Sequence, residues 1–262
     1  MTKTTKQWIF YSAVVVFAIL SYTIVLYAQG YKYSFSEGKF FRTGAIFVKA
    51  NEDANVYLGD KFLNTTSFFG NSYTISGLLP GQYTVRLQRD NFSSWHKKIT
   101  VEEGLVNDYS RIIILPQSGE DKEKVKTEIK TLLILPKKSP QPTPTPPPTG
   151  GSKEPFYIKN GVLFRNVDGT SEKLAPLATG FSLSSDNRKI SWWNDSEIWI
   201  MWLSDTDYQP FHKAGDKDLI TRFSIKIKNA NWFRGSDHVV VDSNGYKVVE
   251  IDKRGGLNII EI

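Results

Sequence analysis

Residues 83–101 read YTVRLQRDNFSSWHKKITV, and their alternation sets the architecture of the chain around them. Tyr83, Val85 and Leu87 alternate with Arg86 and Gln88. After the turn pair Asp90-Asn91, Ile99 and Val101 alternate with Lys98 and Thr100. A period of two sends apolar side chains to one face of a strand and polar ones to the other, whereas a helix would space them by 3.6. The same alternation runs outward through Ile46, Val48 and Ala50, then Val56 and Leu58, with Lys49 and Asn55 on the opposite parity. Gly59-Asp60 and Pro80-Gly81 add turns. Residues 43–116 are therefore expected to form a small β-sandwich of short strands.

Upstream, Trp8–Ala28 reads WIFYSAVVVFAILSYTIVLYA without a charge. As a helix it would reach about 31 Å, one hydrocarbon thickness. Lys3 and Lys6 flank it, and Trp8, Tyr11, Tyr22 and Tyr27 lie toward its ends, as interfacial aromatics do. A cleaved signal peptide would carry a shorter apolar region, and Leu26 and Ala28 make a poor small-x-small cleavage site. The segment reads as an uncleaved signal anchor, with residues 1–7 as a short flank and 29–42 as a juxtamembrane segment. Lys32, Lys39 and Arg42 beyond it nearly balance the positive charge before it. The placement of the bulk of the chain outside the cytoplasm therefore rests on the character of the β-rich modules downstream rather than on charge.

Residues 117–153 read as a linker. Gly119–Lys130 is dense in Glu and Lys, and Leu132–Leu135 is an apolar island suited to an added edge strand. Residues 140–151, PQPTPTPPPTGG, read as a polyproline stalk of roughly 35–40 Å. Residues 154–262 are again β-rich. Phe156-Tyr157-Ile158 and Val162-Leu163-Phe164 flank Lys159-Asn160-Gly161, a hairpin signal. In Glu197–Leu203 both parities are apolar after Glu197, which predicts a strand buried on both faces.

Two parts of the chain resemble known families. Thr43–Ile46, Ala54-Asn55-Val56-Tyr57-Leu58-Gly59-Asp60-Lys61 and Leu78-Leu79-Pro80-Gly81-Gln82-Tyr83-Thr84-Val85, with Phe92, Trp95 and the closing strand Ile112–Pro116 after them, resemble the PEGA domain family. That resemblance implies a bacterial surface-type β-module for adhesion or protein contact, without catalytic residues. Ser184-Ser185-Asp186-Asn187-Arg188-Lys189-Ile190-Ser191-Trp192 resembles the blade turn of TolB-like β-propellers. More loosely, Asn229–Arg234 and Asp237–Val241 resemble the first strands of the next blade and Tyr246–Asp252 and Leu257–Ile262 its outer ones, and Trp192 and Trp232 lie 40 residues apart, about one blade. The resemblance implies a propeller-like but incomplete antiparallel module, because closure needs about four blades of this length. The unpaired β-edges of such a stack invite self-association.

Composition narrows the chemistry. The net charge is +6, but Lys and Arg exceed Asp and Glu by four in residues 1–42 and by three in 117–153, while both β-modules are near neutral. A nucleic-acid-binding fold carries its basic patch on the folded surface, so no nucleic acid is expected as partner. The chain has no cysteine, which removes thiolate metal sites and Cys nucleophiles. The nucleophile-elbow, phosphate-loop, dinucleotide and zinc-helix motifs are missing from the sequence. His96 with Lys97-Lys98 reads as a solvated charged face. Asp205 with Asp207, and Asp216 with Asp218, read as loop solvation rather than Ca²⁺ ligands. No catalytic, metal or cofactor site is expected.

Phe68, Phe69 and Trp95 form the candidate ligand or partner surface, as aromatics suited to stacking on a sugar; the alternative is that they plug the small core. The expected function is that of a single-pass, membrane-anchored cell-envelope protein. Trp8–Ala28 would hold lipid, and the β-modules would bind a protein or cell-wall glycan partner without turnover. A carbohydrate-binding module is the alternative, and a hydrolase on the propeller-like part a remoter one.

Overall fold

The computed structural model describes residues 2–67, 69–134, 155–167 and 169–262. Helix α1 spans Lys3–Ala28 and starts five residues before the uncharged stretch, because the Thr2 hydroxyl accepts from the Thr5 N–H as N-cap. It is long and apolar enough to cross a membrane, and none of its residues is buried. Gly30, at φ +85°, ends it and turns the chain into strands β1 (Tyr31–Ser34) and β2 (Lys39–Arg42), an antiparallel pair.

The chain divides into two compact units, and their boundary cuts across one hairpin. The first comprises residues 1–86 and 98–112. After β2 come β3 (Gly44–Ala50), β4 (Asn55–Leu58), β5 (Lys61–Thr65), β6 (Ser72–Leu78), β7 (Gly81–Gln88), β8 (Trp95–Val101) and β9 (Val106–Ile112). They make one sheet of order β6-β3-β9, with β3 parallel to β9, and another of order β5-β4-β7-β8. The alternating positions behave as their parity predicts: Ile46, Val48, Val56, Val85, Ile99 and Val101 are buried, while Lys49, Lys98 and Thr100 are exposed.

The second unit comprises residues 87–97 and 113–262. Its first regular element corrects the linker reading. Residues 119–134 form helix α2 (Gly119–Ile134), and Leu132–Ile134 are its last turn rather than an edge strand. The reason lies in spacing. Val125 and Ile129, four apart, are buried on one face, and Leu132 and Leu133 continue it. Glu120 and Asp121 sit in the first turn, where the helix dipole favours acids. The Asn229 and Asn231 side-chain amides donate to the carbonyls of Leu133 and Leu132 in the last turn of α2. Leu135 and the polyproline segment 140–151 lie outside the described residues.

The strands after α2 are β10 (Phe156–Lys159), β11 (Val162–Val167), β12 (Thr170–Ala175), β13 (Gly180–Leu183), β14 (Lys189–Trp193), β15 (Glu197–Trp202), β16 (Lys217–Arg222), β17 (Asn229–Trp232), β18 (His238–Asp242), β19 (Tyr246–Glu250) and β20 (Ile259–Glu261). They form the sheets β10–β12, β13–β16 and β17–β20, each antiparallel and in sequence order. Asn160 and Gly161, both at positive φ, make the predicted hairpin turn with Lys159 paired to Val162. The two-faced burial of β15 is also present. Ile198, Ile200 and Trp202 pack toward β17–β19, while Met201 packs toward β10–β12. The opposite face of β17–β20 presents Phe233, Val240, Val248 and Ile260 to α2 and to Ile113 and Leu115. The unit is thus a stack of sequential sheets with a helix against the last.

Gly44 shows how tight the first unit is. A Cβ there would lie 2.5 Å from Val101 Cγ1 and 2.6 Å from the Glu102 carbonyl. The carbonyl is backbone and yields little. Gly44→Ala is expected to lower stability by about 2 kcal/mol; urea unfolding of the detergent-solubilised chain measures it.

Candidate functional site

Of the three aromatics singled out from sequence, Phe69 and Trp95 lie among the described residues. Phe68 lies outside the described residues. Phe69 is 98% exposed in the turn between β5 and β6, in the first unit. Trp95 belongs to the second unit and is 2% exposed, so its place on a ligand surface is corrected. The physical reason is parity. Trp95, Lys97, Ile99 and Val101 share one face of β8, and that whole face is buried.

Around Trp95 the second unit holds a buried polar cluster that sequence reasoning missed. The Trp95 indole N–H donates to Glu250 Oε2 at 3.2 Å, and the Asn258 amide donates to the same oxygen at 3.0 Å. Lys97, fully buried, places Nζ 3.1 Å from Glu250 Oε2 and donates to the carbonyls of Asp252 and Gly256. The solvated-face reading of Lys97 is thereby overturned, and the available signal was its parity with Ile99 and Val101. Nearby, Lys189, also buried, donates to the Ser236 carbonyl at 2.6 Å and to Asp237 Oδ1 at 2.9 Å.

His238 pairs with Glu250 across β18 and β19. Burial, reinforced by the Lys97 and Lys189 ammonium groups, pushes its imidazole down to about 3, so it is neutral at physiological pH. Burial pushes the Glu250 carboxyl upward, against the pull of Lys97 and Asn258.

A concave surface with convergent aromatic and polar groups lies elsewhere in the second unit. A cavity of about 300 Å³ is lined by Leu174, Leu177, Trp192, Glu197, Trp199 and Lys217, among others. Trp192 and Trp199 are cross-strand partners on β14 and β15, and their rings stack at 5.9 Å and 9°. Glu197 accepts from Trp199 Nε1 at 2.9 Å, Arg222 Nε at 2.7 Å and Asn194 Nδ2 at 3.0 Å, which hold its carboxyl below the usual range. Lys217 Nζ donates to the Leu174 carbonyl at 2.8 Å. A second cavity of about 440 Å³ adjoins the first, with Leu177 and Asn194 lining both. Leu177 is 75% exposed at φ +58°, a conformation that costs a branched residue roughly 1–2 kcal/mol. Leu177 thus stands exposed at the rim shared by the two cavities.

This arrangement suits noncovalent binding by stacking and hydrogen bonding. Among the described residues, no group of three or more His, Asp or Glu side chains is placed to hold a metal ion. Comparison with family models, curated proteins and solved structures finds no match to this chain.

The neutral His238 gives the fold an acid-side dependence. Its folded pKa is depressed below the unfolded value of about 6.5, so the unfolded chain binds the extra proton as pH falls. The stabilisation is complete above about pH 6.5 and is lost downward toward pH 3 at about 1.4 kcal/mol per pH unit. Glu250, shifted upward, has the opposite slope, so the comparison must be between variants. Denaturant unfolding of wild type and His238→Gln from pH 7.5 to 4.5 is expected to show the acid-side loss shrinking by about that slope in the variant.

Proposed function

We propose that this chain is a non-catalytic, membrane-anchored cell-envelope protein whose β-modules bind a protein or glycan partner outside the cytoplasm. The observation that carries this reading is α1. Its most apolar window has a mean hydropathy of 2.3, and no residue of the helix is buried against the rest of the chain. Such a helix in water would leave its whole apolar circumference unsheltered, at roughly 25 cal/mol per Å². Lipid removes that cost.

The expected architecture is a PEGA-like sandwich in the first unit and a propeller-like stack in the second. Support comes from the two sheets of the first unit and the three sequential meanders of the second. On this reading α1 is an uncleaved signal anchor, and residues 140–151 are a stalk. The intact chain is expected to stay with membranes through alkaline carbonate extraction and to retain Trp8–Ala28 by mass. A protease site placed within 140–151 is expected to be cut from outside intact cells. Recovery in the soluble fraction, or a membrane-free product beginning after Ala28, would overturn the reading.

The cavity beside Trp199, which is half-buried while Trp192 behind it is buried, favours the carbohydrate-binding alternative. Stacking on an indole contributes about 1 kcal/mol, roughly fivefold in affinity. Cell-wall glycan fragments are then expected to quench tryptophan emission. Leu177→Asp, an exposed position, is expected to weaken that response at least fivefold. Silence of the full chain toward all such fragments would remove this alternative.

A further inference from the structure

The hairpin after α1 carries a run of aromatic rings. Phe35, at its turn, is 92% exposed, and it does not stand alone as a stray surface phenyl would. It is the end of a chain of edge-to-face rings. Phe35 meets Tyr33 at 5.1 Å, Tyr33 meets its cross-strand partner Phe40 at 5.1 Å, and Phe40 meets Tyr27 at 6.4 Å. Tyr27 belongs to α1, in its last turn and inside the uncharged span. The base of the hairpin is fixed at the same point, since Thr43 N and Oγ1 both donate to the Gly30 carbonyl at 2.8 Å.

Register gives the hairpin two faces. Tyr31, Tyr33, Phe40 and Arg42 share one, and Lys32, Ser34, Lys39 and Phe41 share the other. The second face is tied to the first unit, where Lys32 Nζ donates to the Gly77 carbonyl at 2.6 Å. The first face, with Phe40 against Tyr27, continues the surface of the helix end.

We infer that the β1–β2 hairpin lies in the headgroup–acyl boundary of the bilayer, with Phe35, Tyr33 and Phe40 directed into it. The inference rests on α1 being the membrane anchor. The uncharged span measures about one hydrocarbon thickness, which places Ala28 at the hydrocarbon edge. Phe40 touches a side chain of that span, so it stands at the same depth. Aromatic rings with a polar rim, flanked by lysines whose stems lie over apolar surface, have the composition that this layer selects. Lys39, whose Nζ sits 4.5 Å from the Phe41 ring centre, is one such lysine. A two-stranded ribbon is marginal in water, and the lipid boundary supplies the support it lacks.

The absence of cysteine in the sequence permits single labels. Phe35→Cys and Val16→Cys, each carrying an environment-sensitive fluorophore, are made in the full chain and placed in vesicles of phosphatidylcholine with phosphatidylglycerol. The label at 35 is expected to lose most of its emission to lipids brominated near the headgroup and little to aqueous iodide. The label at 16 is expected to respond to lipids brominated deep in the acyl chain. If 35 is quenched by iodide and not by brominated lipid while 16 reports deep burial, the hairpin faces water or a protein and this inference is wrong. If 16 is also quenched by iodide, the anchor reading itself fails, and the inference fails with it.

Discussion

An apolar helix with no buried residue leaves most of its apolar surface open to its surroundings. Helix α1 sets this condition, and the elements next to it inherit their position from it. Gly30 ends the helix and opens the hairpin within two residues of Ala28. The Thr43 bonds to Gly30 close that hairpin before β3 begins. No flexible leader therefore separates the apolar helix from the first strands, and the orientation of the hairpin follows from that of the helix end.

The second unit depends on a different constraint, the burial of two lysine ammonium groups. A buried cation is tolerated only where nearby acceptors offset its lost hydration. Lys97 has Glu250 and two carbonyls, and Lys189 has Asp237 and the Ser236 carbonyl. The Lys97 contacts bind residues 87–97, which arrive on the β7–β8 hairpin, to β19 and the turn after it, and the Lys189 contacts bind β14 to the turn before β18. A hydrophobic pair of equal volume would fill the space as well. It would not fix the register of the hairpin tip, because apolar contacts are not directional. His238 is kept neutral first by its burial and then by the Lys97 and Lys189 charges beside it.

Legibility in the sequence tracks how local each determinant is. The strands around Ile46, Val85 and Ile99 are readable because one side of each alternates cleanly, and the Asn160-Gly161 turn because its dihedrals demand those residues. The two-faced burial of β15 is readable from its unbroken apolar run. Helix α2 is not, because its charges resemble those of a linker. Only the Val125–Ile129 spacing, meaningful once a sheet stands opposite, marks its buried face. Lys97 misleads because its charge outweighs its parity. The Trp192–Trp199 cavity is invisible for a related reason: Leu174 and Leu177, from another sheet and its loop, complete it across a long sequence interval.

The ionisable groups at these sites share one property that bears on function. Glu197 accepts from three donors, Glu250 Oε2 is approached by three more, and Lys97 and Lys189 donate to fixed carbonyls and carboxylates. General acid–base chemistry needs a group free to exchange a proton with substrate, poised near the working pH. Glu197 is held well ionised and His238 well neutral, so each is removed from that range in the direction its environment dictates. Groups saturated in this way hold surfaces in place. The saturated Glu197, Glu250, Lys97 and Lys189 therefore fix the local geometry of the second unit.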